Sequence, residues 1–132
     1  MIELDFSYYG SVSSDLSLVK TFIDKVLNEL NYIIDNENAI FDVRLIMNEL
    51  IINGVFHGNQ CMDEKCVKLN LTVKNKKITI RVEDEGEGFD LDLNEYDPND
   101  LTCGGRGLVL VDGLSDELIV NNNSITAIKY LQ

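Results

Sequence analysis

The sequence has no tryptophan, one histidine, one proline and only 11 lysine and arginine residues against 23 aspartate and glutamate residues in 132. Its formal net charge of −12 would repel a polyphosphate backbone, so we expect no nucleic acid partner. The same charge favours a basic protein partner. It does not exclude a nucleotide, because Mg²⁺ and backbone N–H groups can neutralise phosphate charge locally.

Long apolar runs and paired cysteines are also scarce. No apolar stretch approaches the roughly 20 residues that span a bilayer, and the amino terminus lacks the pattern of a signal peptide. We therefore expect no membrane association and a cytoplasmic location. Three cysteines, an odd number, argue against a disulfide framework. The spacing of His57, Cys61 and Cys66 fits no standard zinc site. The length fits a single domain over residues 1–132.

Hydrophobic periodicity in the first third of the chain predicts a strand and then a helix. Apolar and polar residues alternate from Ile2, which predicts a half-buried strand that ends near Gly10. Apolar residues then recur at helical spacing through residues 16–30, and Ser13 or Ser14 is the expected N-cap.

A second helix is predicted over residues 39–56, with a stop at residues 58–59. Glu49, Asn53 and His57 form its polar stripe. His57 could contact phosphate or a partner, but a lone histidine at a helix end is more often a capping or packing residue. The residues of this helix expected in the core are Phe41, Leu45, Ile46, Leu50 and Ile52.

The remaining chain is predicted to form two hairpins separated by a loop and a helix. Strands over residues 67–73 and 78–82 lead directly into Asp84, and residues 90–103 form an acidic lid loop. A helix over residues 104–114 and a closing hairpin follow. This order of elements favours helices packed on one face of a largely antiparallel sheet, an α+β sandwich.

Glu49 and Asn53 lie four residues apart, so their side chains project from the same helix face. An amide oxygen such as that of Asn53 can bind Mg²⁺, and the Glu49 carboxylate could accept a proton from an attacking hydroxyl within hydrogen-bond reach. The alternative is a pair of solvated surface residues. Because Asn53 and Gly54 both weaken a helix, their presence indicates a reason other than stability.

Asp84 directly follows an apolar strand and precedes Gly86 and Gly88. Its carboxylate can accept a hydrogen bond from the exocyclic amine of adenine, which discriminates against the oxygen of guanine. The glycines would let the backbone approach the base closely. A simple acidic turn is the alternative interpretation.

A second glycine segment consists of Gly104, Gly105, Arg106 and Gly107, and it precedes a predicted helix. Exposed N–H groups at such a helix end can bind phosphate oxygens, with Arg106 available to the terminal phosphate or to a partner. The alternative is a flexible hinge.

In order and spacing, these motifs resemble those of the GHKL ATP-binding fold of histidine kinases, type II topoisomerases and mismatch-repair proteins. The resemblance is closest to its short anti-sigma-factor serine/threonine kinase branch and runs through residues 43–58, 82–90 and 104–108. It implies a two-layer α/β sandwich of the Bergerat type, with helices on one face of a mostly antiparallel mixed sheet, and it implies ATP and Mg²⁺ as ligands.

The resemblance makes Glu49 the general base, Asn53 the Mg²⁺ ligand and Thr126 the residue that supports Asp84 and the water beside the adenine. Ile125 departs from the family pattern, which has glycine there. The implied function is a serine/threonine-protein kinase that phosphorylates an anti-anti-sigma (STAS-type) protein, sequesters a sigma factor and forms a homodimer.

Two alternatives stay open. A nonenzymatic partner-switching module is favoured by the lid, which has no lysine or arginine, and disfavoured by Glu49. The detached catalytic domain of a histidine kinase would need a phosphoacceptor-helix module, which we do not find in the sequence.

Overall fold

The computed structural model describes residues 5–59, 62, 64–86 and 105–131. Among these residues, no helix is long and apolar enough to cross a membrane. The elements, in chain order, are β1 (Phe6–Ser13), α1 (Leu16–Asn31), α2 (Glu37–Asn53), a π-helical segment (Gly54–Gly58), β2 (Cys66–Lys74), β3 (Lys77–Glu83), α3 (Gly105–Leu114), β4 (Glu117–Val120) and β5 (Ser124–Tyr130).

The strands form one sheet in the order β1-β2-β3-β5-β4. All four neighbouring pairs of described strands are antiparallel, so the parallel component implied by a mixed sheet is not seen in this part of the chain. The predicted α+β fold is confirmed.

The two faces of the sheet differ in polarity. Leu71 lies opposite Ile80, and Ile80 lies opposite Ala127, so these three buried side chains share one face. Residues at the intervening positions, such as Asn70 and Arg81, point to the other face. The helices cover the apolar face and complete the core, to which they contribute Val19, Ile23, Val26, Leu27, Leu30, Val43, Ile46, Met47, Leu50 and Ile51.

The first strand extends further than its sequence pattern predicts. It continues past Gly10 to Ser13 because β1 pairs with β2 along its whole length, and Val12 lies opposite the buried Val67. The start predicted at Ile2 lies outside the described residues.

Neither Ser13 nor Ser14 is the N-cap of α1. Asp15 caps the helix, and its Oδ1 accepts hydrogen bonds from the Ser17 N–H at 2.9 Å and the Ser17 hydroxyl at 2.7 Å. Ser14 is buried instead, and its hydroxyl donates to the Lys65 carbonyl at 2.9 Å.

The second helix begins at Glu37, two residues before the predicted start, because Asn36 is its N-cap. The Asn36 Oδ1 accepts a hydrogen bond from the Ala39 N–H at 3.1 Å. Of the predicted core residues, Ile46 and Leu50 are buried and Leu45 and Ile52 are partly buried.

Phe41 is wrong as a core residue, since 59% of it is exposed. It lies two residues after Ala39, a core position, and each residue turns a helix by about 100°. Phe41 therefore points about 200° around the helix from Ala39, away from the sheet.

Candidate functional site

The carboxyl end of α2 carries two of the predicted site residues. Glu49 is half-buried and Asn53 is only 8% exposed, although both are polar. Because they are one helical turn apart, both side chains leave the same face of α2. Asn53 is the last residue of α2, and the next five residues form the π-helical segment. Such segments recur at functional sites, where they reshape the end of a helix.

Gly54 brings this helix end into close contact with the sheet. A β-carbon at Gly54 would lie 3.2 Å from Cγ2 of Val67 and 3.6 Å from Cβ of Asp84. The first distance is tighter than normal van der Waals contact, so glycine permits an approach that a side chain would obstruct. Asn53 is the neighbour of Gly54, so the candidate metal ligand and the candidate base-binding carboxylate lie on adjoining parts of one site.

Asp84 is the residue directly after β3, and it is only 5% exposed. Its Oδ1 accepts a hydrogen bond from the Gly86 N–H at 2.8 Å, which orients the carboxylate. Its backbone N–H donates to the Asn123 carbonyl at 2.9 Å, in continuation of the β3–β5 pairing. A short loop after β3 thus holds a buried carboxylate near Gly54, the residue that follows α2.

Burial raises the pKa of the Asp84 carboxyl above its ordinary value, because the charged form is poorly solvated. The hydrogen bond from the Gly86 N–H opposes this rise in pKa, the nearby charge of Glu83 adds to it, and the charge of Lys65 reduces it. A buried carboxylate in this state is a strong acceptor for a donor that enters the site, such as an amine.

Two asparagines hold the peptide group that joins Asp84 to Glu85. The Glu85 N–H donates to Oδ1 of Asn59 at 2.7 Å, and Nδ2 of Asn123 donates to the Asp84 carbonyl at 3.1 Å. On the same loop, the Glu85 carboxylate also accepts a hydrogen bond from the Cys66 N–H.

Asn59 is fully buried and uses all of its side-chain polar groups. Its Nδ2 donates to the Ser14 hydroxyl at 2.8 Å and to the Cys66 carbonyl at 3.0 Å. The amide orientation is fixed by chemistry, because the Glu85 N–H can only donate and the Cys66 carbonyl can only accept. The sequence predicts only a helix stop at residues 58–59, because the partners of Asn59, up to 45 residues away, leave no local pattern.

Thr126 and Asp84 lie on different faces of the sheet. It lies opposite Arg81 on β3 and Ile119 on β4, on the sheet face that points away from the helices. Asp84 lies on the helix face, next to Gly54. The β5 residue on that helix face is Ile125, opposite Val82. Alternation along β5 turns the Thr126 side chain to the other face, so the register does not favour the role that the resemblance implies for Thr126.

Other predicted positions are described only in part. The backbone of Gly105, Arg106 and Gly107 forms the first turn of α3. This helix packs against α2 through the core, where Leu108 and Val111 are buried. Gly88, Gly104 and the lid at residues 90–103 lie outside the described residues, as do the side chains of Arg106 and His57.

Comparison with known proteins agrees with this geometry. The profile of a family described as "Histidine kinase-like ATPase domain" matches residues 12–129. The chain is 28% identical over 128 residues to "Serine-protein kinase RsbW" from Bacillus velezensis, and the match covers 88% of this chain and 78% of that protein. The protein of the same name from Bacillus subtilis gives the same figures. The one from Staphylococcus epidermidis is 28% identical over 130 residues, which cover 89% of this chain and 80% of the relative.

Proposed function

The chain belongs to the histidine kinase-like ATPase domain family, and on that basis we propose that it is an ATP-dependent serine/threonine-protein kinase that acts as an anti-sigma factor. The observation that carries the proposal is the close approach of the buried Asp84 to Gly54, directly beside Asn53, where an added β-carbon would lie 3.6 Å from Cβ of Asp84. This approach brings two of the three motifs to one place. The names of the relatives supply the reaction class.

ATP is the proposed substrate of the site. Asp84 accepts a hydrogen bond from the exocyclic amine of adenine, which selects against guanine. Gly86 and Gly88 allow the backbone to approach the base, while Gly104, Gly105, Arg106 and Gly107 bind the phosphates. Asn53 would hold Mg²⁺, a hard cation that prefers oxygen ligands, and its amide oxygen and low exposure fit that role. When bound, Mg²⁺ would neutralise part of the phosphate charge.

Glu49 is the proposed general base. It accepts the proton of the acceptor hydroxyl as that oxygen forms a bond to the γ-phosphorus of ATP. The bond between the γ-phosphorus and the bridging oxygen breaks, and ADP leaves. The half-buried position of Glu49 supports this role, because partial removal from water strengthens its interaction with the hydroxyl.

The proposed phosphoryl acceptor is a STAS-type anti-anti-sigma protein, and the proposed sequestered partner is a sigma factor. The relatives named serine-protein kinase support an acceptor with a serine hydroxyl. The formal charge of −12 supports a partner whose contact surface is basic. We further propose that the chain acts in the cytoplasm as a single domain that forms a homodimer.

Phosphoryl transfer to a purified STAS-type protein tests the proposal. With Mg-ATP labelled at the γ-phosphate, we expect the label on a serine or threonine of the acceptor. Glu49→Gln keeps the shape of the side chain but cannot accept the proton, so the rate should fall by about 10²- to 10⁴-fold with little change in ATP affinity.

Two results would argue against this function. Transfer at the wild-type rate by Glu49→Gln would exclude Glu49 as the base. ATP binding without any transfer by the wild-type protein would instead indicate a noncatalytic partner-switching module.

A further inference from the structure

We infer that Asn59 and Asn123 are positioning residues that set the direction of the Asp84 carboxylate and therefore the preference of the site for adenine. The inference rests on the proposed function, because it assigns these two residues to the base-binding carboxylate. Neither residue belongs to the three motifs identified in the sequence, at residues 43–58, 82–90 and 104–108.

The two asparagines hold opposite sides of a single peptide group. The carbonyl of that group, on Asp84, accepts from Nδ2 of Asn123 at 3.1 Å, and its N–H, on Glu85, donates to Oδ1 of Asn59 at 2.7 Å. A peptide group is planar, so fixing its carbonyl and its N–H fixes the orientation of the whole plane. The ψ angle of Asp84 is then restricted, and with it the direction in which the side chain leaves the backbone.

The remaining freedom of Asp84 is small. Its N–H donates to the Asn123 carbonyl at 2.9 Å, so Asn123 contacts Asp84 through both its side chain and its backbone. The Gly86 N–H then holds Oδ1 of the carboxylate at 2.8 Å. Every backbone polar group from the Asp84 N–H to the Glu85 N–H therefore has a defined partner.

The two asparagines come from different parts of the chain. Asn59 is fully buried, and its N–H donates to the Gly54 carbonyl at 2.8 Å, the hydrogen bond that closes the π-helical segment. Asn123 lies in the turn between β4 and β5 and is half-buried. Asn59 thus couples the loop after Asp84 to Gly54 beside Asn53, which links the base-binding and metal-binding sides of the site.

We expect this arrangement to affect the selectivity for adenine more than it affects the overall affinity for nucleotides. The exocyclic amine of adenine can donate to Asp84 only if the carboxylate lies at the correct distance and angle. In the proposed site the glycine segment that begins at Gly104 binds the phosphates, and Asp84 binds the base. A displaced carboxylate should therefore lower the affinity for ATP but not the affinity for inosine triphosphate (ITP), which has an oxygen in place of the amine.

The test is the ratio of the Kd for ITP to the Kd for ATP, measured by calorimetric titration in the presence of Mg²⁺. We expect Asn59→Ala and Asn123→Ala to lower this ratio roughly tenfold, toward its value in Asp84→Asn. Asn123→Ala is the second variant because Asn123 is only half-buried, so its loss is compatible with folding even if Asn59→Ala does not fold.

Asn36→Ala is the matched control. It also removes a hydrogen bond in which a backbone N–H, that of Ala39, donates to an asparagine Oδ1, but at the opposite end of α2. We expect it to lower stability and leave the ratio unchanged.

The outcomes distinguish failure of the positioning role from failure of the proposed nucleotide site. A ratio within twofold of wild type in both Asn123→Ala and any folded Asn59→Ala would overturn the positioning role while ATP binding stands. An equal loss of ATP and ITP affinity would overturn it as well, since it would indicate a general structural effect. If the wild-type protein does not bind ATP or does not prefer it to ITP, the proposed nucleotide site is wrong, and the inference is wrong with it.

Discussion

The two ends of β3 differ in how their backbone is held. At the carboxyl end, β3 leads into Asp84, whose neighbouring peptide is fixed by side chains 26 and 39 residues away in sequence. At the amino end, β3 joins β2 through Asn75 and Lys76, which have φ angles of 53° and 60°. The first end depends on long-range hydrogen bonds between buried and half-buried polar groups. The second is a local turn on the surface.

This contrast indicates what each end can tolerate. A left-handed backbone at two successive residues is the pattern of a type I′ turn, which favours glycine at its second position. Lys76 therefore occupies a position that glycine would adopt with less steric strain, and this strain lowers the stability of the hairpin. At the other end, Gly54 stands where only glycine avoids a close contact with Val67. Residues at the candidate site are thus constrained by tertiary contacts, and those at the turn by local conformation.

The largest expected effect on folding comes from Gly54→Val. The added side chain would press on Val67 and Asp84, and we expect a loss of about 1–3 kcal/mol in the free energy of unfolding, typical of an overpacked contact. Gly113→Val is the matched control, because a β-carbon there meets no atom within 4 Å. Urea titration of both variants measures the difference. Equal losses would show that the close approach of α2 to the sheet is not a constraint.

Asp84→Asn should change the pH dependence of stability. Because burial raises the pKa of Asp84 in the folded state, the folded protein binds this proton more tightly than the unfolded chain. Ionisation of Asp84 therefore costs stability as pH rises from the ordinary carboxyl pKa through the raised one, and the cost is fully present above the raised value.

We expect Asp84→Asn to be at least as stable as wild type at neutral pH. The difference in stability between Asp84→Asn and wild type should shrink as pH falls from the raised pKa of Asp84 to the ordinary carboxyl pKa. Parallel thermal unfolding of both proteins between pH 4 and pH 8 checks the sign. An advantage that grows toward acid pH would contradict the raised pKa.

The smallest expected effect is at the turn. Lys76→Gly should raise the free energy of unfolding by about 1 kcal/mol, since it removes the steric cost of a β-carbon in the left-handed region. Lys77→Gly is the matched control, because Lys77 is in β3 and glycine weakens a strand by roughly 0.5–1 kcal/mol. If both variants lose stability in chemical denaturation, the turn is not strained.

Sequence patterns predict the helices and strands of this chain better than they predict its side-chain contacts. Alternation and helical spacing locate β2, β3 and α2 because those patterns reflect local burial. Ser14 was misassigned as a cap because its partner, Lys65, is 51 residues away. Phe41 is wrongly predicted in the core because the presence of an aromatic residue in a helix does not show whether its side chain is buried or exposed.

The candidate site shows the same limit. Asp84 could be predicted because it directly follows an apolar strand, and Glu49 and Asn53 because they share a helix face. Thr126 could not be placed by motif resemblance alone, since a shift of one position on a strand reverses the face. The roles of Asn59 and Asn123 follow only from hydrogen bonds that the folded chain creates.

The most direct test of the central claim, that Asp84 at the end of β3 selects ATP, is thermal unfolding of wild type and Asp84→Asn with Mg-ATP and with Mg-GTP. A ligand at about 100 times its Kd should stabilise the folded state by about 2.7 kcal/mol, which raises Tm by several degrees. We predict this rise only for wild type with Mg-ATP. An equal rise with Mg-GTP, or one that Asp84→Asn retains, would contradict the account.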